Sequence, residues 1–165
     1  MSIVAANRQR TQKIDLRFLK QIAGALLVEL NIEDVELGVH LVAAPEMTRL
    51  NENFLRHQGS TDVITFDYSD VRRRMPDARC PLHGEIFICV DEAVLQARRF
   101  RTSWQSEIVR YLVHGVLHLR GHDDSRASLR QKMKRAENHW LRELSRRFSL
   151  AQLGRTAKLS RCKNR

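Results

Sequence analysis

The residues best suited to chemistry lie between Val109 and Asp124, in the run VRYLVHGVLHLRGHDD. His114 and His118 are four apart, so on a helix they stand one turn above each other on the same face. Gly121 offers an exit from that helix, and His122, Asp123 and Asp124 come at once after it. Two imidazoles on a helix plus one donor returned by a turn make a three-ligand metal site, with a fourth position left for water. Spacing leaves the third donor open between Asp124 and His122. It also leaves open that both imidazoles are hydrogen-bonded core histidines with no metal.

The helix that must carry them is apolar nearly all round. Trp104, Ile108, Val109, Tyr111, Leu112, Val113, Val116, Leu117 and Leu119 predict a buried helix. A buried imidazole must be hydrogen-bonded, ligated or turned to a cleft, because an unpaired polar group costs ~1–3 kcal/mol to bury. A divalent metal on three protein ligands can lower the pKa of its water from ~15.7 towards ~7 and polarise the bond under attack. Zinc is the first expectation for imidazole donors. Hydrolysis of an ester, amide or phosphodiester is the chemistry such a site supports. Zincin peptidases carry their general base as Glu next to the first His. Here that position is Gly115.

Charge narrows the substrate. The 165 residues carry a net charge of +10, which favours a polyanionic partner. From Arg142 to Arg165 there are eight Lys or Arg against the single Glu143. A domain over 1–150 followed by a basic, disordered tail over 151–165 is therefore expected, and the tail needs only charge to attract phosphate. No apolar run approaches the ~20 residues needed to span a membrane. The opening MSIVAANRQR lacks the apolar core of a secretory signal, so a cytoplasmic protein is expected. Cys80, Cys89 and Cys162 are expected to be free thiols.

The remaining elements must position the site. Ser2–Ala6 reads as an edge strand. Asp15 caps an amphipathic helix with Leu16, Leu19, Ile22, Ala23, Leu26, Leu27 and Leu30 inside. Val35–Ala43 reads as a strand, with His40 on its face. Pro45 starts a helix that ends near Arg56, and Val63–Tyr68 reads as a strand. Ser69–His83, with Arg72, Arg73 and Arg74, reads as a loop. Gly84–Val90 suits a buried strand, and Asp91 caps a helix through Phe100. Thr102 and Gln105 have capping-box spacing for the histidine helix. A charge-studded helix spans Ser125–Leu150. The order βαβαββααα, without internal repeats, predicts one α+β domain: a small mixed sheet covered by about five helices, with the metal site on a buried helix.

Three stretches resemble a known family. HGVLHLRGHDD resembles the H-G-x-L-H-L-x-G-Y-D-H signature of the YbeY family, bacterial endoribonucleases that mature ribosomal RNA. His114, Gly115, Leu117, His118, Leu119, Gly121 and Asp123 match it. His122 stands in place of Tyr, and Asp124 in place of the third His ligand. LNENFLRHQGSTDVITF is similar to a second family block, with Arg56 matching an arginine held near the metal and Thr61, Asp62, Val63, Thr65 and Phe66 matching as well. Gly84–Ile88 resembles the G-(D/E)-I-x-I strand beside the metal helix. The resemblance covers roughly residues 35 to 140.

The resemblance implies a zinc-dependent endoribonuclease for single-stranded RNA, acting on the 3′ end of 16S rRNA and in ribosome quality control. His114, His118 and Asp124 would be the ligands, and Arg56 would be both catalytic and substrate-binding. The small ribosomal subunit and a ribosome-associated GTPase are the implied partners. A carboxylate binds zinc at ~2.0–2.2 Å, close to the ~2.0–2.1 Å of imidazole, so Asp124 is competent as third ligand. Its charge should make the metal a poorer acid and shift preference towards harder ions. Two other functions fit the same residues: a non-catalytic RNA- or ribosome-binding assembly factor, and a metallohydrolase for another substrate.

Overall fold

Asp15 begins the first helix of the computed structural model, which describes residues 1–69 and 81–154. Its carboxylate accepts from the backbone N–H groups of Arg17 and Phe18, which satisfies two of the helix's orphan donors. Helix α1 (Leu16–Glu29) then buries Phe18, Leu19, Ile22, Ala23, Leu26 and Leu27 along one stripe. It connects β1 (Ser2–Asn7) to β2 (Val35–Val42), which pair in parallel. Helix α2 (Ala44–Leu50) runs into a single π-helical turn, Asn51–Leu55. β3 (Val63–Asp67) pairs antiparallel with β4 (Leu82–Cys89), and β4 pairs in parallel with β2. The sheet order is β1-β2-β4-β3. Helices α3 (Val90–Phe100), α4 (Trp104–Leu119) and α5 (Ala127–Arg147) complete the chain's main elements. The mixed four-stranded sheet with five helices is the expected α+β domain.

The central strands are covered on both faces. Val35, Leu37, Val39 and Leu41 of β2 share one core with Leu82, Ile86 and Ile88 of β4, with α1 and with α4. Val42, Phe87, Cys89 and Ile64 meet Met47 of α2 on the other face. Helix α4 lies against β4 because Gly115 has no side chain. A Cβ there would stand 2.8–3.1 Å from three carbons of Ile86. Ile108, Val109, Leu112, Val113 and Val116 are fully buried, as the apolar run requires.

Several boundaries differ from expectation. Asp91 does not cap α3. The N-cap is Cys89, and the Asp91 carboxylate instead accepts from the Ala44 N–H and the Thr11 hydroxyl, tying three segments together. Helix α4 is capped by Ser103, whose hydroxyl accepts from the Ser106 N–H at 3.1 Å. Thr102 donates to Glu107 rather than closing a capping box with Gln105. β4 starts at Leu82, two residues early, because its pairing with Val35 extends the strand. Residues 150–154 form a 3₁₀ turn in which Leu153 is fully buried and its carbonyl accepts from the Asp15 N–H. The expected tail thus begins inside an ordered turn. Its residues 155–165, and Arg72–Arg74, Cys80 and Cys162, lie outside the described residues. Cys89 is a buried free thiol. No helix among the described residues is long and apolar enough to cross a membrane.

His40 is a strand-face residue, as expected. It stacks on Phe87 with ring centroids 4.5 Å apart and contacts Glu85 at 2.9 Å through Nε2. Tyr68 donates to the other Glu85 oxygen at 2.7 Å. That bond is the main reason the Glu85 carboxyl is held below its ordinary pKa; burial opposes it, and His40 and Arg8 assist.

This packing can be probed at two positions. Gly115→Ala should destabilise the fold by about 1–2 kcal/mol in urea titration, since overpacking at ~1–3 kcal/mol outweighs the ~1 kcal/mol gain in helix propensity. Tyr68→Phe should lower the Tm at pH 7 by about 1–4 °C. Because the folded-state pKa of Glu85 is depressed, that difference should be full above its unfolded value. It should disappear as pH falls through the folded one.

Candidate metal and phosphodiester site

Helix α4 presents His114 and His118 as a ring pair, centroids 4.4 Å apart at 75°. The helix then stops at a Schellman turn. Gly121, at φ 89°, donates to the His118 carbonyl at 2.8 Å, and His122 donates to the Leu117 carbonyl at 3.0 Å. This turn brings residues 122–124 back along the helix end. The two acids there have different jobs. Asp123 accepts from both the N–H and the hydroxyl of Ser125, closing a tight turn of its own. Asp124 is left facing the rings, its Oδ2 3.5 Å from His118 Nε2. Arg130 of α5 holds the loop by donating to the carbonyls of Asp124 and Ser125.

One donor atom from each of His114, His118 and Asp124 lies within 4.8 Å of the others. Donors ~2.0–2.2 Å from one tetrahedral ion stand roughly 3.3–3.6 Å apart, so small side-chain rotations would seat one. The rings are prepared for it. His118 Nδ1 contacts the His122 carbonyl at 3.0 Å. A carbonyl only accepts, so Nδ1 carries the proton and Nε2 keeps its lone pair. His114 Nδ1 contacts Glu137 Oε1 of α5 at 2.5 Å, which imposes the same tautomer. Both Nε2 lone pairs are thereby left for a ligand.

Glu137 is itself held: Arg110 lies 3.9 Å from its second oxygen and donates to Asn138 at 2.8 Å. Burial pulls the His114 pKa down. The hydrogen bond and charge of Glu137, with Asp62 and Asp124, outweigh it, and the net shift is upward.

The structure therefore gathers three of the four expected site residues. His122 is not in the group; it contributes its carbonyl, and its imidazole pKa is lowered by burial and by the neighbouring Arg120 and His118. Arg56 lies on a separate segment. It ends the π-helical turn in the left-handed conformation at φ 55°. It is exposed, and its guanidinium makes no hydrogen bond to the described residues. Six residues on, Asp62 begins the approach to β3, and its charge is felt at His114 and at Tyr111, so this loop returns to the α4 site. Glu137 and Arg110 were not foreseen. Both sit among many charges on helices, and spacing along α5 does not reveal which acid faces α4.

The family model described as Endoribonuclease YbeY matches residues 4–145. The chain belongs to the YbeY endoribonuclease family. An Endoribonuclease YbeY from Myxococcus xanthus is 38% identical over 127 residues, covering 77% of this chain and 42% of the relative. One from Chlorobium phaeovibrioides is 32% identical over 76% of this chain and 80% of its own length. The chain thus spans under half of the first relative and most of the second. The solution structure of TM1509 from Thermotoga maritima shares the fold, with a TM-score of 0.64 at 23% identity, covering 97% of this chain and 100% of that one.

Glu137→Gln should weaken Zn²⁺ binding by about 10–100-fold in chelator competition while leaving the fold intact. Gly121→Ala should cost about 1 kcal/mol of stability and also weaken binding, because it strains the turn that returns Asp124.

Proposed function

We propose that this chain is a metal-dependent endoribonuclease that hydrolyses phosphodiester bonds of single-stranded RNA. The observation that carries the reading is the pair of imidazoles with Nδ1 committed, whose donor atoms lie within 4.8 Å of each other and of an Asp124 oxygen, in a chain of the YbeY family. His114, His118 and Asp124 are the ligands of one divalent ion, zinc being the first candidate. When bound, the ion supplies a Lewis acid and a water acidic enough to attack at neutral pH.

The protein's own residues do the rest. Glu137 and the His122 carbonyl hold the two rings in the binding tautomer. Arg56 pairs with the phosphate and with the charge that grows on it in the transition state. Gly115 speaks against peptide hydrolysis, because its contact with Ile86 leaves no room for the glutamate that zincins place there.

The biological setting we infer is maturation of the 3′ end of 16S rRNA and ribosome quality control in the cytoplasm. The small ribosomal subunit and a ribosome-associated GTPase would be partners. The +10 net charge supports a nucleic-acid substrate, and a domain over 1–150 would do the chemistry while the basic tail adds phosphate attraction.

The test combines metal content with cleavage. Protein purified without chelator should hold about one divalent ion per chain. Asp124→Ala should lose it, with affinity down more than about 100-fold, while His122→Ala should keep it. His114→Ala should bind single-stranded RNA but cleave it no faster than a blank. Equal cleavage by His114→Ala and wild type would reject the enzymatic reading and favour a binding-only assembly factor.

A further inference from the structure

Phe54 is 63% exposed, yet its ring packs against another. It meets the ring of Phe66 edge-on at 5.2 Å and 78°, and Phe66 in turn meets Phe87 at 5.7 Å and 89°. Phe87 is 7% exposed and belongs to the core between the sheet and α2. A chain of three perpendicular rings therefore anchors an exposed aromatic to the interior. The backbone beneath is fixed too: Asn51 is buried and its side-chain amide donates to the Gly59 carbonyl at 2.8 Å, closing the loop that carries Arg56. An exposed phenyl group gains nothing from water. Two residues further along the same turn comes the exposed Arg56, whose guanidinium has no partner among the described residues, so this short segment carries the two parts a nucleotide contact needs: a flat apolar face and a phosphate-binding cation.

We propose that Phe54 is a stacking platform for an unpaired nucleobase, with Arg56 holding an adjacent phosphate of the same strand. The proposal rests on the RNA reading above and deepens it, because it supplies a reason for single-strand preference. A base in a duplex has both faces covered by its neighbours and offers none to Phe54. An unpaired base can leave the strand's stack and settle on the ring, which Phe66 already supports from behind at 5.2 Å. Stacking uses the face of the base and not the ribose, so single-stranded DNA should engage Phe54 as RNA does.

The experiment is fluorescence anisotropy of the full-length chain with a short labelled single-stranded RNA, in chelator so that no cleavage intervenes. Single-stranded DNA and duplex RNA serve as parallel probes. Phe54→Ala should weaken binding of both single strands roughly 5- to 100-fold, and Phe54→Trp should restore it. Duplex binding should not change. The dependence of single-strand affinity on salt should keep its slope in Phe54→Ala, because no charge is removed. Thermal melts should show Phe54→Trp close to wild type and Phe54→Ala lowered by only a few degrees (about 2–8 °C), as loss of one edge-on ring contact requires. Unchanged single-strand affinity in Phe54→Ala, or an equal loss for duplex, would overturn the platform while leaving the nuclease reading standing if wild type still cleaves. A wild type that neither binds nor cleaves single strands would remove both.

Discussion

A buried helix can carry two imidazoles only if each ring has a place for both of its nitrogens. Helix α4 is enclosed by the sheet, α3 and α5, and its remaining face holds His114 and His118. Each ring gives Nδ1 to a fixed acceptor and keeps Nε2 for the shared space. Remove either acceptor, and a ring can rotate or change tautomer, which breaks the convergence on Asp124. The group is thus less a set of three donors than three donors with their supports, one from α5 and one from the turn after α4.

That dependence runs backwards into the fold. The rings converge because α4 lies flush on β4, and it lies flush because Gly115 admits Ile86. Helix α5 delivers Glu137 to His114 and Arg130 to the loop of Asp124, so one helix braces both sides of the site. The Schellman turn at Gly121 sets where Asp124 falls. Each of these contacts is ordinary packing or capping. Their joint product is a donor cluster whose atoms lie within 4.8 Å of one another.

Electrostatics divides the molecule in a useful way. Asp62, Asp124 and Glu137 concentrate negative charge around His114, which suits a cation. The chain as a whole carries +10, which suits a phosphate strand. A local acidic centre thus sits in a basic protein. Arg56 lies on the loop that precedes β3, exposed and without a partner among the described residues.

What the sequence determined by itself was local. The 3.6-residue rhythm of α1, the apolar run of α4, the His–x₃–His spacing and the glycine exit at 121 are consequences of backbone geometry and solvent exclusion, and each is visible within one turn or strand. The order of elements came from the same signals. Tertiary structure decided whatever depends on residues far apart. That Asp91 ties α2 and the segment after β1 rather than capping α3, and that Leu153 docks against the start of α1, are outcomes of packing that no short window contains. The grouping of Asp124, and not the His122 ring, with His114 and His118 belongs here too, because it shows only once the turn after α4 is set beside the rings. So does Glu137, one charge among many on α5 until the docking of two helices brings it to His114.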